Sequence, residues 1–281
     1  MRTAIWGLWI AALLGAGAVA GTIPRSSLTG ARVVADTGFV LSGEAESPQG
    51  ATWTFRDTVG GVWYDLSGVL LKPKGSGPFP AVILSHGFEG NAALFSRIMG
   101  PVMVGWGLVV IAPNYTHASG VPIGAPGGAS EPGASEANVL RAHMTYALLA
   151  RLGYVDLSRV ALHGHSMGAY LGVAVAGTFP RDFRVASQTG GGIRPDRVRA
   201  GPAPTAEQAR GIRTPFQMHH GESDATVPVD YDVRFAQVLS GLGVEHQLHT
   251  YPGKGHLQVR ADPVVLSRIH DWYAAHGMFT P

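Results

Sequence analysis

A serine and two histidines lie between glycines at residues 163–170, which read HGHSMGAY. A serine hydroxyl attacks a carbonyl carbon only when a base removes its proton, and the base needs a third group to hold its tautomer. Ser166 is therefore a candidate nucleophile for acyl transfer, if the fold brings a histidine and an acid to it. The apolar run before Ser166 predicts a strand and the run after it is compatible with a helix, so the chain must turn sharply at the serine.

Two glycines flank the candidate nucleophile in the pentapeptide Gly164-His165-Ser166-Met167-Gly168. At a strand-to-helix turn, the first glycine allows the turn to close and the second lets the helix approach the neighbouring strand. Such a turn lifts the serine above the sheet and aims the first amides of the helix at an anion beside it. The same pentapeptide also fits a purely structural Gly/Ser turn. His165 is expected to form only a pocket wall beside the serine.

An acid and a histidine follow later predicted strands, where parallel α/β sheets place their ligands. Asp224 belongs to the stretch FQMHHGESDATVP and His256 to HQLHTYPGKGH, each in a loop after a strand. The order Ser166, Asp224, His256 is the one found for serine nucleophiles on this kind of sheet. Glu222 is an alternative acid, because a predicted strand end shifts easily by two residues.

The remaining titratable residues have simpler interpretations. Asp230 and Asp232 begin a predicted helix and are expected to interact with its N-terminal dipole or to cap it. His219 and His220 precede the acid and are expected to face opposite sides of a strand. The other C-terminal histidines fall within a strand or on the last helix: His246, His249, His270 and His276. The chain has no cysteine and no His-x-x-x-His pattern, so we expect no metal site and no cofactor.

The stretch HGFEGN at residues 86–91 follows another predicted strand and contains two glycines. Acyl transfer requires donors for the oxyanion that forms when the serine attacks. We expect the backbone amides of Phe88 and Met167 to be these donors, because Met167 follows the nucleophile and Phe88 follows Gly87 in a loop that can turn toward it. The alternative is an ordinary glycine-rich start of a helix, with Glu89 as a first-turn carboxylate.

Short apolar runs alternate with longer segments of helical period, which predicts an α/β fold with a mainly parallel sheet and helices on both faces. The predicted strands are 65–72, 81–85, 108–112, 160–163, 185–189, 216–220 and 246–251. The predicted helices are 92–104, 136–152, 167–177, 230–242 and 263–276. Residues 118–135 form a predicted long loop, and neither they nor residues 190–211 have the apolar helical repeat of a large lid.

The chain of 281 residues, 46% hydrophobic and 14% charged, suits one sizeable folded domain. We assign residues 1–20 to a signal peptide, 21–58 to an N-terminal extension with possible edge strands, and 59–281 to the catalytic domain. In the leader, Arg2 precedes an apolar stretch and Ala18-Val19-Ala20 forms a cleavage site. That stretch is shorter than the ~20 residues of a membrane span. We therefore expect an exported protein, periplasmic or secreted, without stable membrane insertion.

Charge and aromatic content add two further expectations. The net charge is +2 and no block of like charge occurs, so nothing indicates a nucleic-acid partner. Trp53, Trp63 and Tyr64 are expected to be core aromatic residues rather than a binding platform.

Four stretches together, SHGFEGN, GHSMGAY, GESDATVP and YPGKGH, resemble the α/β-hydrolase superfamily and, within it, the dienelactone hydrolase-like esterases. The resemblance covers the chain from about residue 65 to the C-terminus. It implies that Ser166 is the nucleophile, His256 the base and Asp224 the acid that orients the base. Dienelactone hydrolases proper use a cysteine nucleophile, which this chain lacks, so the resemblance implies a general carboxylesterase.

The expected function is a serine hydrolase that cleaves carboxylic esters with short or medium acyl chains, in a small-molecule or polymeric substrate. A weaker resemblance to secreted cutinases and polyester hydrolases rests on the export signal and the GHSMG stretch, but SQTGGGIRP has glycines where those enzymes commonly have a tryptophan. The sequence is also compatible with a serine peptidase similar to the prolyl oligopeptidases and with a non-catalytic exported binding protein. The oligomeric state is left open.

Overall fold

The computed structural model describes residues 32–33, 38–59, 62–88, 90–121, 132–198 and 200–279. The predicted signal peptide at residues 1–20, Glu89 and most of the predicted loop at residues 118–135 lie outside them. Among the helices of the described ranges, none combines the length and the apolar character that crossing a membrane requires.

One open sheet organises the described part of the chain. Its strands are β1 Arg32–Val33, β2 Phe39–Ser42, β3 Ala51–Val59, β4 Val62–Leu71, β5 Phe79–Ser85, β6 Val109–Pro113, β7 Val155–His165, β8 Val185–Thr189, β9 Phe216–Gly221 and β10 His246–Tyr251. They lie in the order β1-β2-β3-β4-β6-β5-β7-β8-β9-β10. Pairing is antiparallel from β1 to β6 and parallel from β6 to β10. The predicted mainly parallel sheet is confirmed.

Helices cover both faces of this sheet. Within the described residues they are α1 Ala92–Gly105, α2 Glu136–Arg151, α3 Met167–Thr178, α4 Ala206–Ala209, α5 Asp230–Gly241 and α6 Pro263–Ala275. Successive residues of β5 point to opposite faces, so Val82 packs in one apolar cluster and Ile83 in the other. Helices α1 and α6 pack on the side of Val82, and α2, α3 and α5 on the side of Ile83.

All five predicted helices begin at the predicted residue and end within one residue of the predicted end. At three of the five starts, a side chain caps the helix. The side chain of Asn91 accepts a hydrogen bond from the amide of Leu94 before α1, and Asp262 accepts one from Val264 before α6. These bonds satisfy amide groups that a helix start otherwise leaves without a partner.

The segment before residue 59 contributes directly to the sheet. The border expected between residues 58 and 59 falls inside β3, which pairs with β4 along its whole length. Trp53 of β3 is buried. The indole ring of Trp53 packs on Gly68 of β4, where an added Cβ would stand 2.6 Å from the ring. Tyr64 is also buried. The expectation for Trp63 is wrong, because its side chain projects from the sheet and is 63% exposed.

The parallel pairing brings the predicted functional loops to one edge of the sheet. The chain leaves β5 toward residues 86–91, β7 toward Ser166, β9 toward Asp224 and β10 toward His256. All four strands run in the same direction. Their carboxyl ends therefore meet at the edge where ligands of such sheets bind. Between β8 and β9, the described residues contain only the short helix α4.

Candidate active site

Ser166 occupies a strained turn between β7 and α3. Its backbone has φ 58° and ψ −119°, and it is the only non-glycine residue with positive φ in the described ranges. A residue with a side chain in such a conformation costs about 1–3 kcal/mol, so the surrounding fold must enforce it. This is the geometry of a nucleophile elbow, in which the serine hydroxyl is raised above the sheet.

The two predicted glycines allow this turn by close packing. A Cβ added at Gly164 would overlap the carbonyl group of Gly168, and one added at Gly168 would overlap the carbonyl oxygen of Ser85 on β5. Neither clash involves a flexible side chain that could move away. Both positions thus require glycine, as the sequence predicted from the need for a closed turn and a close helix.

The structure brings Asp224 and His256 into direct contact. The Nδ1–H group of His256 donates to Oδ2 of Asp224 at 2.6 Å. The other carboxylate oxygen, Oδ1, accepts from the amides of Thr226 and Val227, each at 2.8 Å. The carboxylate is thereby fixed on both sides and leaves Nε2 of His256 as the nitrogen available to a hydroxyl.

The charge on Asp224 is held by its hydrogen bonds. Burial raises the pKa of this carboxyl group, but the hydrogen bonds from His220, His256 and two backbone amides outweigh burial and lower the pKa well below its usual range. Asp224 is therefore a carboxylate throughout the pH range in which His256 can act as a neutral base. Such a partner favours a proton on Nδ1 of His256.

Glu222, the alternative acid, lies elsewhere. Its Oε1 accepts a hydrogen bond from the hydroxyl group of Thr250 on β10 at 2.8 Å. The side chain is on the exposed part of the turn, whereas the carboxylate of Asp224 is shielded from solvent. The geometry thus pairs His256 with Asp224.

His165 and Gly190 enclose the ring of His256. The centroids of the His165 and His256 rings are 4.6 Å apart, and Nδ1 of His165 forms a hydrogen bond with the hydroxyl group of Thr189. Burial and the proximity of His256 lower the pKa of His165 well below its usual value. A neutral imidazole forms this wall, as expected from the sequence.

Ser166 and His256 face the same cavity, which has a volume of about 590 Å³. Residues of the predicted oxyanion loop, of α1 and of the loop after β10 complete the lining. Phe88, Leu94 and Leu257 provide exposed apolar surface, and Arg97 and Arg260 provide guanidinium groups. A cavity of this size is in the range of small-molecule sites, about 300–1,000 Å³.

Gly87, in the loop after β5, packs directly on the candidate nucleophile. A Cβ added at Gly87 would stand 3.1 Å from Cβ of Ser166. Phe88 is 59% exposed at the rim of the cavity, and Met167 is the first residue of α3. The two residues predicted to form the oxyanion hole therefore lie in the expected elements: Met167 directly follows Ser166, and Phe88 directly follows Gly87.

Buried histidines hold this loop, a function that the sequence analysis did not assign to them. Nε2 of His86 accepts from the amide of Tyr115 at 3.3 Å, so its Nδ1–H group donates to the carbonyl oxygen of Gly87 at 2.9 Å. Nε2 of His117 in turn bonds to the carbonyl oxygen of His86. Burial lowers the pKa of His86 to about 3 and that of His117 to about 4, so both rings are neutral.

The site is built from three side chains: a serine on an elbow, an imidazole, and a carboxylate that fixes that imidazole. In the described ranges, no group of three or more His, Asp or Glu side chains could hold a metal ion. A serine, an imidazole and a carboxylate in this order on a parallel α/β sheet are typical of hydrolases with a serine nucleophile, and solved hydrolase structures share the fold of this chain. More narrowly, the chain belongs to the dienelactone hydrolase family, whose model matches residues 66–263.

Solved structures similar to this chain include several hydrolases. Esterase 2 of Thermogutta terrifontis, phosphonylated by cyclosarin, is 18% identical with a TM-score of 0.60 over 80% of this chain and 94% of that one. An S-formylglutathione hydrolase from Agrobacterium tumefaciens is 16% identical with a TM-score of 0.59, over 84% and 98% of the two chains. These similarities support a hydrolase fold that is common among esterases.

Two other relatives are longer than the region shared with this chain. A Bacteroides ovatus protein classed as a dipeptidyl aminopeptidase IV has a TM-score of 0.63 and 16% identity over 80% of this chain, but only 35% of its own length is covered. Acyl-protein thioesterase 1 of Gibberella zeae is 45% identical over 47 residues, which are 17% of this chain and 20% of that protein. The chain thus matches only a fifth of the curated relative.

Proposed function

We propose that the protein is a serine esterase that hydrolyses carboxylic esters with short or medium acyl chains through an acyl-enzyme intermediate. One observation carries this proposal. Ser166, on a strained elbow, and His256, held by Asp224 at 2.6 Å, line the same cavity. A protein that only binds a ligand has no need for a strained serine, an oriented imidazole and a buried carboxylate together.

In the first step, the hydroxyl oxygen of Ser166 attacks the ester carbonyl carbon while Nε2 of His256 takes the hydroxyl proton. The amides of Phe88 and Met167 stabilise the tetrahedral oxyanion, and losing one such donor costs about 2.7–4 kcal/mol of barrier lowering. Collapse of the intermediate breaks the bond to the alkoxy oxygen. His256 gives its proton to that oxygen, and the alcohol leaves.

In the second step, His256 removes a proton from water, whose oxygen attacks the acyl carbon. The second tetrahedral intermediate collapses, the bond to the serine oxygen breaks, and His256 returns the proton to Ser166. The carboxylic acid is released, and all groups are restored. Asp224 remains ionised throughout and stabilises the imidazolium that forms twice in each cycle.

The cavity supports the assignment to modest acyl chains. It opens between α1 and the loop after β10, and its apolar rim is formed by Phe88, Leu94 and Leu257. In the described residues no long helix covers this opening. The apolar surface can bury part of an alkyl chain, at about 0.8 kcal/mol per CH₂ group.

The test is hydrolysis of p-nitrophenyl esters from acetate to palmitate by the wild type, Ser166→Ala and His256→Ala, with Ser267→Ala as an exposed-serine control on α6. We expect activity in the wild type and in Ser267→Ala, a maximum at short or medium chains, and a loss of up to about 10⁶-fold in the other two variants. Mass spectrometry after treatment with a fluorophosphonate should show one adduct, on Ser166. An inactive and unlabelled wild type would reject the proposal.

The similarity to longer peptidases makes amide hydrolysis the main competing activity. A panel of matched ester and anilide substrates separates the two. Turnover of the esters alone agrees with an esterase, whereas comparable kcat/KM values for the anilides would move the assignment to a peptidase.

We also propose that the protein is exported, on the basis of the leader at residues 1–20. Expression of the full chain in a bacterial host with a secretory pathway tests this idea. The mature protein outside the cytoplasm should have a mass that corresponds to a start near Gly21. Recovery of the uncleaved chain from the cytoplasm alone would contradict export.

A further inference from the structure

A second histidine lies on the far side of Asp224 from His256. His220, on β9, is fully buried, and its Nε2 is 3.4 Å from the same carboxylate oxygen, Oδ2, that accepts from His256. Asp224 is thus enclosed between two imidazole rings. The mechanism above uses only one of them.

Both ring nitrogens of His220 face oxygen atoms that only accept hydrogen bonds when the carboxyl groups of Asp224 and Asp232 are ionised. Nδ1 is 2.7 Å from Oδ2 of Asp232, and Nε2 is 2.9 Å from the carbonyl oxygen of Val227 in addition to Asp224. A neutral imidazole has a single N–H group, so one nitrogen lone pair would point at an oxygen lone pair. The geometry therefore requires a proton on each nitrogen, which makes His220 a buried imidazolium.

Asp232 supplies the compensating charge. It lies on α5, is fully buried, and its other oxygen accepts a hydrogen bond from the side-chain amide of Gln188 on β8. Each carboxyl oxygen of Asp232 therefore has a buried side-chain partner. Asp232 lies in the first turn of α5, as the sequence predicted, but it does not cap the helix, because its side chain turns inward to His220. Asp230, two residues earlier, instead pairs with Arg234 at the surface.

The pKa of His220 agrees with a charged ring. Burial lowers the pKa of His220, but the hydrogen bonds to Asp224 and Asp232 outweigh burial and raise it to about 10. A buried ion pair seldom makes a protein more stable than apolar side chains of the same volume would. Stability therefore does not explain why His220 and Asp232 lie next to Asp224.

We propose that His220, held by Asp232, is a positioning residue that fixes the Asp224 carboxylate and moderates the negative charge that Asp224 presents to His256. The inference rests on the proposed function, in which His256 is the base. Neither His220 nor Asp232 lines the cavity, so they act through Asp224 and do not touch the substrate.

Among the described residues, the other polar side chains around this unit come from α3, α5 and β8. Tyr170 of α3 interacts electrostatically with Asp224, Asp232 and Tyr231, and burial raises its pKa, so its hydroxyl stays protonated. Its ring centroid is 6.4 Å from that of Tyr231 on α5. Gln188 is uncharged. The charged groups in contact with His220 are therefore Asp224 and Asp232, with His256 beyond Asp224.

The distances of His220 and Asp232 from Asp224 determine whether this ion pair strengthens or weakens the attraction of Asp224 for a proton on His256. The positive charge of His220 is closer to Asp224 than the negative charge of Asp232 is, so the pair weakens the attraction of Asp224 for a proton on His256. Without the pair, Asp224 attracts a proton on His256 more strongly, and the acidic limb of the kcat/KM profile moves to higher pH. A base that is protonated up to a higher pH is available over a narrower range, so kcat/KM falls on the acidic side.

The test is Asp232→Asn, which keeps the shape of the side chain and lets a neutral His220 retain an Nε2–H donor. The matched control is Asp230→Asn, on the same helix and half exposed. We expect the acidic limb of the kcat/KM profile to move up by about 0.5–1 pH unit in Asp232→Asn, with KM at the optimum unchanged, and to stay in place in the control. An identical profile in wild type and Asp232→Asn would overturn the proposal.

If Asp232→Asn does not fold, a second variant tests the same proposal. The double variant His220→Gln with Asp232→Asn replaces the ion pair by two neutral amides and leaves no unpaired buried charge. It should show the same upward movement of the acidic limb. A folded double variant with a wild-type profile would count against the inference.

The charge of His220 is measured directly by ¹⁵N NMR of the wild-type imidazoles. We expect both ring nitrogens of His220 to be protonated at pH 8, where exposed histidines are neutral. Detection of a single tautomer at that pH would overturn the inference. This measurement needs no substrate, so failure of the esterase proposal and failure of the His220 proposal can be told apart.

Discussion

Gly190 lies against the ring of His256: a Cβ added at Gly190 would stand 3.0 Å from Nδ1 of His256 and 3.4 Å from Oδ2 of Asp224. Gly190 directly follows β8, has φ 56°, and donates its amide hydrogen to the carbonyl oxygen of His219 at 2.9 Å. The loop after β8 therefore confines the imidazole to the orientation in which it contacts Asp224.

Substitution Gly190→Ala is expected to reduce kcat/KM by about 10- to 100-fold, because the methyl group displaces the His256 ring from its productive position. The matched control is Gly243→Ala, with φ 66° and no atom within 4 Å of the added Cβ. Both variants should lose about 1–2 kcal/mol of unfolding free energy, since alanine is disfavoured at positive φ. Urea unfolding and ester hydrolysis measure the two effects, and an equal loss of activity in both variants would contradict this explanation.

The strain at Ser166 predicts an inactive but more stable variant. Ser166→Gly removes the side chain that makes φ 58° costly, whereas Ser166→Ala retains a Cβ. We expect the unfolding free energy of Ser166→Gly to exceed that of Ser166→Ala by about 1 kcal/mol, with no hydrolysis by either. Chemical denaturation of the pair checks this difference. Equal stabilities would show that the elbow stores no strain at this residue.

The contacts of the two candidate acids predict opposite outcomes for conservative amide variants. Asp224→Asn should lower kcat by about 10³- to 10⁴-fold, because the amide no longer stabilises the correct tautomer and the imidazolium of His256. Glu222→Gln should leave kcat within about twofold, since Glu222 contacts Thr250 and surface perturbations of this kind are small. Steady-state kinetics on one short ester distinguish them. Loss of activity in Glu222→Gln alone would reverse the assignment.

The raised pKa of His220 predicts a decline of stability in alkaline solution. The ring titrates at about 10 when folded and has an ordinary value of 6.5 when unfolded. Its contribution to stability is thus complete below pH 6.5 and is lost as the pH rises toward 10. Unfolding free energies at pH 6, 8 and 10 should fall more steeply for wild type than for the double variant His220→Gln with Asp232→Asn. Parallel curves would argue against a charged His220.

The parts of the fold with strong local signals could be predicted from the sequence. Three of the five helix starts have a capping side chain within three residues, as with Asn91 and Leu94, and longer runs compatible with a helix indicate the other two. The central strands are continuous apolar runs because both of their faces are buried. The residues gathered at the site could be proposed because each lies shortly after a predicted strand: Ser166 directly after β7, Asp224 three residues after β9 and His256 five residues after β10.

The relationships that could not be predicted join residues across different elements. His220 and Asp232 meet because α5 packs against the end of β9, and nothing local distinguishes a helix-start carboxylate that turns inward from one that faces solvent. The exposure of Trp63 has a similar origin, because an aromatic residue at a strand end packs only if another element covers it. No local pattern indicated that neutral His86 and His117 hold the loop beside Ser166, because their partners come from different strands and loops.

Assembly of the site depends on strands far apart in the chain, since β5, β7, β9 and β10 bring residues 86–91, Ser166, Asp224 and His256 to one edge. Parallel pairing over such separations forms slowly, because long loops must close before the contacts are made. Turnover therefore reports the fully assembled sheet, and a refolding chain should regain its helical circular dichroism before it regains hydrolysis. The interval between the two signals would time the assembly of this edge of the sheet.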